Sequence, residues 1–312
     1  MLDYRILDKK YAKYLFSHGF LFQRMISHLL GLFYFIKGFF AKYHSYRVIS
    51  HVLVHNSSFK NLLISHKNYF YEVLFIFNYG WLLYGNFSKV RRKLLQVQLS
   101  NLHHLESALA KNKAIIVMTA HIGCFFNALL NEQILSYIKD RPIACLTPKD
   151  DQGRKNLLEE KIKYCSQKPF KFIDIQSKND LLKIVRVLKN NGILICTMDY
   201  AYPFTRNQAV KFFDKTVDIP VGIIELGRKF DPAFLPLFTF TNKGQIFLEF
   251  CQPFQLDISN DKERDIHNNL LKIVNIIESK ILVLPEQWTM WESLYYSKSQ
   301  PIKDKNENRS QI

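Results

Sequence analysis

From about residue 111 onwards, short apolar runs alternate with stretches in which apolar and charged residues recur at the spacing of a helix. Apolar runs of four to six residues are typical of strands buried on both faces, as in parallel sheets. The stretches between them carry charged residues at helical spacing, which predicts covering helices. The predicted strands are Ala114–Thr119, Ile143–Leu146, Phe170–Ile175 and Ile193–Met198, and the predicted helices between them include Asp151–Tyr164 and Asn179–Lys189.

The last part of the chain adds a hairpin and a long helix. Asn242, Lys243 and Gly244 separate two β-type runs, which is a hairpin signal. The segments there are a strand Val210–Phe213, a helix Val221–Lys229, hairpin strands Ala233–Phe240 and Gln245–Cys251, and a helix Asp261–Leu284. We therefore predict an α/β fold with a mixed, mostly parallel sheet flanked by helices.

The first third of the chain has no sustained strand-like alternation, so residues 20–110 are predicted as helices. Breaks are expected near 55–58 and 84–88, where Ser and Asn can cap a following helix. The segment Met25–Ala41 is rich in Leu, Phe and Ile, but polar residues interrupt it. It is shorter than a membrane span needs, so it predicts a helix lying in the membrane interface rather than a short span. The predicted division is a helical membrane-docking region (1–110), an α/β domain (111–299) and a polar, disordered tail (300–312).

Positive charge is concentrated in this first third. The formal net charge is +16, and +12 of it lies between Lys9 and Leu105, where Glu72 is the only acidic residue. Basic residues interleaved with Phe, Tyr, Leu and Ile suit an anionic membrane surface. Nucleic acid also rewards clustered positive charge, but no nucleic-acid-binding motif accompanies it. We therefore expect a membrane partner and no nucleic-acid partner.

Cysteine and histidine spacing gives no indication of a metal site. The five cysteines, at 124, 145, 165, 196 and 251, lack paired spacing and are expected to be small buried hydrophobes in a reducing compartment. His51 and His55 are four residues apart but have no third ligand nearby in sequence. We expect neither metal nor cofactor, and the polar first residues predict no cleavable signal peptide.

His121 follows the strand Ala114–Thr119, and Gly123 then turns the chain into a predicted helix, Cys124–Leu135. A polar residue that ends a buried strand lies at the carboxyl edge of the sheet, where ligands bind in open α/β folds. His121 is therefore a candidate catalytic residue. The alternative is a structural histidine that caps a buried turn.

Six short motifs, taken in order, resemble the bacterial lipid A biosynthesis acyltransferases, within the glycerolipid acyltransferase-like superfamily. The resemblance runs from about residue 45 to 296, and the His-x-Gly turn and the Pro-Glu-Gln-Trp end are its specific parts. The motifs are Thr119-Ala120-His121-Ile122-Gly123, Met198-Asp199, Phe212-Phe213, Pro220-Val221-Gly222, Leu235-Pro236-Leu237 and Pro285-Glu286-Gln287-Trp288.

The resemblance implies a reaction and its partners. An acyl chain moves from acyl carrier protein, or from coenzyme A, to a hydroxyl of a membrane lipid at the cytoplasmic face of a bacterial inner membrane. His121 is implied as the general base that removes the hydroxyl proton. Acyl carrier protein is acidic, so the positive first third of the chain is expected to attract it.

One position departs from the family pattern, which is a His, four residues of any type, then Asp or Glu. Phe126 occupies the carboxylate position here, and the next acidic residue is Glu132. Three hypotheses follow. His121 acts alone or is oriented by Asn127 or by a distant carboxylate such as Asp199. Alternatively, the protein binds lipid or acyl carrier protein without turnover. In the third hypothesis, the α/β part is a scaffold for a membrane-associated complex.

Other candidate residues each have a structural alternative. Asp199 ends a strand at the same edge as His121, and either lies in the catalytic or acceptor pocket or serves a turn. Arg206 and Lys211 bind a lipid phosphate or help hold an oxyanion, unless they form a solvated basic surface. Gly123 offers a backbone N–H to an oxyanion or merely allows a tight turn. Residues 124–126 are apolar and suit an acyl chain.

Overall fold

The computed structural model describes residues 20–39, 45–129, 131–138, 140–147, 153–166, 170–200, 205–213 and 215–296. The predicted polar approach before residue 20, part of the loop after Tyr200 and the predicted disordered tail lie outside the described residues.

The first third is helical, as predicted, up to a short strand that begins at Gln98. The breaks occur where capping residues predicted them. The Ser57 hydroxyl accepts a hydrogen bond from the Lys60 N–H, and the Asn86 side chain accepts one from the Lys89 N–H. No helix within the described ranges is long and apolar enough to cross a membrane. The helices are α1 (Phe20–Phe39), α2 (Ser45–Val52), α3 (Ser58–Tyr84), α4 (Phe87–Leu94) and α5 (Leu102–Ala110).

The remainder forms a seven-stranded mixed sheet covered by helices, which confirms the predicted fold class. The sheet order is β1-β9-β8-β2-β5-β3-β4, and all neighbours are parallel except β8 and β9, which form the predicted antiparallel hairpin. Two further strands, β6 and β7, form a separate antiparallel ribbon. The strands are β1 (Gln98–Ser100), β2 (Ile115–Thr119), β3 (Ile143–Thr147), β4 (Phe170–Asp174), β5 (Ile193–Thr197), β6 (Asn207–Phe212), β7 (Lys215–Pro220), β8 (Ala233–Asn242) and β9 (Gln245–Phe250).

The helices of the α/β part agree with the sequence prediction except after His121. The predicted single helix Cys124–Leu135 is two short helices, because the Asn131 side chain accepts a hydrogen bond from the Ile134 N–H and so caps a new helix. The strands β1 and β7 were not predicted, and Pro220 is the last residue of β7. The helices are α6 (Phe126–Leu129), α7 (Glu132–Ile138), α8 (Arg154–Ser166), α9 (Lys178–Lys189), α10 (Gly222–Phe230), α11 (Lys262–Val283) and α12 (Trp291–Tyr296), with a 3₁₀ turn at Pro285–Gln287.

The central strands are buried on both faces, which explains their continuous apolar runs. All five residues of β2 and of β5 are buried. Ile115 and Val117 point into one half of the core, together with residues of α3 to α8, while Ile116 and Met118 point into the other half, with residues of α9 to α12. The carboxyl ends of β2 and β5 are therefore fixed from both sides.

Candidate active site

His121 and Asp199 meet because their strands are neighbours in register. Strands β2 and β5 run parallel, and Thr119 at the end of β2 is paired with Thr197 at the end of β5. The Met198 N–H donates to the Thr119 carbonyl at 3.0 Å, so the two chains remain side by side beyond the strands. His121 and Asp199 each lie two residues further on. The sheet register thus brings a histidine and a carboxylate together from positions 78 residues apart.

Asp199 holds the imidazole of His121 in a fixed orientation. Its Oδ1 lies 2.7 Å from His121 Nδ1, and its Oδ2 accepts the backbone N–H of His121 at 2.7 Å. The indole N–H of Trp288 also donates to Oδ2, at 2.8 Å. The carboxylate is fully buried, whereas 21% of the His121 side chain is exposed. Because a carboxylate accepts hydrogen bonds, the ring proton lies on Nδ1, and Nε2 is left as the basic nitrogen.

The two groups stabilise each other's charged forms. Burial lowers the pKa of His121, but the charge of Asp199 and its hydrogen bond outweigh burial, so this pKa is raised above its ordinary value. Burial raises the pKa of Asp199, and the charge and hydrogen bonds of His121, with the bond from Trp288, outweigh it and hold this pKa below its ordinary value. Asp199 therefore remains an anion that can stabilise an imidazolium on His121.

This geometry selects one of the orienting groups that the sequence left open. Asp199, and not the other candidate Asn127, is the side chain that contacts Nδ1 of His121. Asn127 is buried on α6, where its backbone N–H donates to the Cys124 carbonyl. Glu132 is directed elsewhere and forms a two-pronged ion pair with Arg91. The imidazole thus has a carboxylate partner, which comes from the neighbouring strand.

Phe126 is part of an aromatic cluster rather than of the catalytic pair. Its ring stacks on Tyr79 at 4.8 Å between centroids and lies 4.2 Å from the ring of Phe125. Phe172 meets it edge-on at 6.2 Å. Cys124 and Phe125 are also buried in this half of the core. Cys124 and Phe125 therefore belong to the core, and the partly buried Phe126 packs against it.

Gly123 allows the close approach of the His121 turn to strand β8. Its φ is +57°, a left-handed conformation that favours glycine, and a Cβ built there lies 2.3 Å from the Thr239 carbonyl oxygen. No other residue fits this turn without displacing β8. The tight turn predicted from the sequence is therefore confirmed, and it brings β8 against the turn that contains His121.

The Pro-Glu-Gln-Trp motif braces the site from the C-terminal side. The Gln287 side chain donates to the Thr241 carbonyl and accepts the Thr241 N–H, both at 2.8 Å. The Thr289 N–H donates to the His121 carbonyl at 3.0 Å. Trp288 is 1% exposed, and a buried indole N–H needs an acceptor, which Asp199 provides. The sequence marked this motif as a family signature but gave no sign of which residue its tryptophan would contact.

Arg206 and Lys211 both lie on or next to the β6–β7 ribbon. Arg206 is 47% exposed and forms ion pairs with Glu225 and Glu263. A phosphate group must therefore compete with two carboxylates for this guanidinium. Lys211 is exposed on β6, opposite Thr216. The role of both residues in binding phosphate remains a prediction.

An apolar cavity of about 380 Å³ lies at the same edge of the sheet as Asp199, and its volume is within the size range of small-molecule sites. It lies at the carboxyl ends of β3, β4 and β5, between α9 and α10. We call it the apolar cavity. Among its lining residues are Leu146, Ile175, Leu181, Ile184, Met198 and Ile223, and Glu225 and Lys229 supply its charged groups. Met198, one of the lining residues, directly precedes Asp199 in the chain, whereas His121 and Asp199 themselves do not line the cavity.

The fold and site define a class of enzyme. An imidazole on a side chain that is 21% exposed, oriented by a buried carboxylate at the same sheet edge as an apolar cavity, suits deprotonation of a hydroxyl near an apolar substrate. A family model described as bacterial lipid A biosynthesis acyltransferase matches residues 70–296, well over half of the chain. The chain belongs to this family, and its class is that of acyltransferases acting on lipid-type substrates.

One solved structure that the chain matches is the 1-acyl-sn-glycerophosphate (LPA) acyltransferase PlsC from Thermotoga maritima. The match covers 85% of this chain and 99% of that chain, with 14% sequence identity and a TM-score of 0.40. Comparison with curated proteins gives no match. The assignment therefore rests on the family match.

Proposed function

We propose that this protein transfers a fatty acyl chain from the thioester of acyl carrier protein, or of coenzyme A, to a hydroxyl of a lipid A-type membrane lipid. In this proposal His121 is the general base and Asp199 is the residue that orients it. The observation that carries the proposal is the 2.7 Å contact between His121 Nδ1 and Asp199 Oδ1, which leaves Nε2 as the basic nitrogen of a side chain that is 21% exposed.

The chemical steps follow from this arrangement. Nε2 takes the proton of the acceptor hydroxyl while the hydroxyl oxygen attacks the thioester carbonyl carbon, and a C–O bond forms. Asp199 stabilises the resulting imidazolium. The tetrahedral intermediate then breaks its C–S bond, and the imidazolium returns the proton to the departing thiolate. The products are an ester and a free thiol, with no covalent enzyme intermediate. The backbone N–H of Gly123 is our candidate donor to the oxyanion.

The apolar cavity is the proposed place for the acyl chain. Its lining is mostly aliphatic, and it begins at Met198, next to Asp199. An acyl chain seated there places its thioester carbon near His121. The charged groups Glu225 and Lys229 belong to α10, at one side of the cavity. A mostly apolar cavity next to a polar pair suits a substrate with a long hydrocarbon end and a reacting carbonyl.

Helix α1 is the proposed membrane-docking element of the N-terminal region. Its residues Met25, Leu29, Leu32, Phe33 and Ile36 recur at helical spacing and are 46–60% exposed, which makes an apolar stripe. Such a stripe on a soluble surface marks an interaction site. The positive charge of the first third favours anionic lipids as the partner. We propose peripheral docking at the cytoplasmic face of a bacterial inner membrane, with residues 1–110 as docking region and 111–299 as catalytic domain.

The experiment that tests the proposed function is acyl transfer in bacterial membranes, with acyl carrier protein and coenzyme A thioesters as alternative donors. The native protein is compared with His121→Ala and with the matched surface control His103→Ala, since His103 is exposed on α5. We expect a new acylated lipid with the native protein and the control, and its loss with His121→Ala. Transfer that persists without His121 would refute the mechanism. Binding of lipid or carrier protein by a native protein that transfers nothing would favour a non-catalytic relative.

A further inference from the structure

A second cavity, of about 460 Å³, lies at the same edge of the sheet as His121. It is formed by the end of α4, the segment leading into β1 and the β8–β9 hairpin. We call it the basic cavity. Its polar lining residues are Lys93, Gln96, Gln98, Lys243 and Gln245. The remaining lining residues are Val97, Gly244 and Ile246, so no carboxylate lines it.

The strand order puts the two cavities on opposite sides of the catalytic pair. Strand β8 is parallel to β2 and continues past its end, so that Thr239 lies against the Gly123 turn. The hairpin containing Lys243 is four residues further along. The basic cavity thus extends over β8, β9 and β1, and the apolar cavity extends over β5, β3 and β4. His121 lies between them.

Lys93 is held at the basic cavity by its surroundings. Its Nζ lies 5.0 Å from the centroid of the Trp81 ring, a cation–π contact that restricts the long side chain. Burial lowers the pKa of Lys93 to about 7. An anion in the cavity offsets that loss of hydration and favours the charged ammonium. Lys93 is the residue of this last turn that lines the cavity, whereas Arg91 is paired with Glu132.

The lining has the chemistry of an anion site with many donors. Lys243 supplies positive charge, and Lys93 supplies a second charge when a bound anion favours its ammonium form. Three side-chain amides supply neutral N–H donors that do not repel an anion. A phosphate ester presents several acceptor oxygens at tetrahedral positions and is commonly bound by lysine as a point charge. A carboxylate offers fewer acceptors and would leave more of these donors without a partner.

We propose that the basic cavity binds a phosphate ester carried by one of the two substrates of the transferase. This proposal deepens the proposed function and rests on it, because the bound phosphate ester is called a substrate group only if the protein is a transferase. The phosphate belongs either to the pantetheine arm and nucleotide of the donor or to the headgroup of the acceptor lipid. In both cases the ester held in the basic cavity keeps the polar part of a substrate on one side of His121, while the acyl chain occupies the other.

The test is calorimetric binding of two probes to the full chain, coenzyme A and dihexanoyl phosphatidic acid. Pantetheine and dihexanoylglycerol are the matched ligands without phosphate. The variants are Lys93→Gln and Lys243→Gln, with Lys113→Gln as control because Lys113 forms an ion pair with Asp231 elsewhere on the surface. We expect each cavity substitution to weaken one phosphate probe about tenfold, as loss of a charge-assisted hydrogen bond does. The control substitution should leave the affinity of both phosphate probes unchanged, and the cavity substitutions should leave the affinity of the phosphate-free ligands unchanged.

The outcomes distinguish the donor phosphate from the lipid phosphate, and they distinguish a failure of the phosphate site from a failure of acyl transfer. Weakening of coenzyme A alone assigns the phosphate of the donor, and weakening of phosphatidic acid alone assigns the lipid headgroup. Equal affinity of both probes for native and cavity variants overturns the proposal. Lys243 is exposed in a turn, so its variant decides the matter even if Lys93→Gln unfolds. His121→Ala should bind both probes as the native protein does, so a failure of acyl transfer would leave this binding result standing.

Discussion

Replacing Asp199 by Asn tests the orientation of the catalytic imidazole most directly. In the native site Oδ1 faces His121 Nδ1, while Oδ2 accepts two N–H groups, from the His121 backbone and from Trp288. The asparagine oxygen is expected to take the position of Oδ2, because two fixed donors point there. Its NH₂ group then faces Nδ1 and must donate to it. The ring proton is thereby forced onto Nε2, so Nε2 can no longer accept a proton from the substrate hydroxyl.

The size of the effect follows from this change of tautomer. A carboxylate-to-amide change beside a catalytic histidine costs about 10⁴ in turnover in the serine proteases, which corresponds to about 5 kcal/mol of activation free energy. The pH dependence should change too. Native activity falls as pH drops below the pKa of His121, which lies above 6.5 because of Asp199. Without that charge, burial lowers the pKa, so the acid limb of the variant should move to lower pH.

The assay is kcat for acyl transfer between pH 5 and 9, together with thermal unfolding of each variant. Asp257→Asn is the matched control, since Asp257 has a side chain that is 79% exposed and pairs only with a surface lysine in the structure described. The control should keep native kcat within about twofold. A loss of less than about tenfold for Asp199→Asn, with the acid limb unmoved, would refute the view that Asp199 orients the base.

Three further substitutions test the surroundings of the site. Phe126→Glu restores the carboxylate of the family pattern, but it puts a charge among stacked rings, so kcat should not rise and the unfolding free energy should drop by about 3 kcal/mol in urea titrations. Gly123→Ala should lower both kcat and stability, the latter by about 2 kcal/mol, because the added Cβ meets Thr239 at a positive φ. Burial first, then the charge of Glu292, raises the pKa of Glu72 to about 8. Native stability should therefore fall between pH 4.5 and 8 by up to about 1.4 kcal/mol per pH unit, and Glu72→Gln should remove this slope in pH-dependent unfolding.

Sequence periodicity predicted those elements whose burial is complete. Strands β2 and β5 are apolar along their whole length because the sheet is covered on both faces, and their ends are marked by polar residues. This placed His121 and Asp199 at the carboxyl edge. Strand β1, in contrast, is short and half-exposed, with the sequence Gln98–Ser100, so its composition carries no strand signal. Its place in the sheet depends on parallel pairing with β9.

The break after His121 could not be predicted because its cause lies in another part of the chain. Residues 124–135 have apolar positions that fit one helix. Asn131 interrupts it, since its Oδ1 caps α7 while its Nδ2 donates to the Leu94 carbonyl at the end of α4. That second contact joins residues 37 positions apart. A tertiary hydrogen bond thus ends a helix that the local sequence would continue.

The partnership of His121 and Asp199 depends on a similar long-range fact, the order of the strands. A carboxylate five residues after a histidine is visible in a sequence, whereas one at the end of another strand is visible only once that strand is known to be the neighbour. Two parallel strands that end in register present the residues that follow them side by side. The carboxylate beside the histidine can therefore come from the helix that follows the histidine or from the end of the neighbouring strand. When the neighbouring strand supplies it, the position on the helix is released to the core, as the stacking of Phe126 on Tyr79 shows. A histidine without a carboxylate five residues later can therefore still form a histidine–aspartate pair, as His121 does with Asp199.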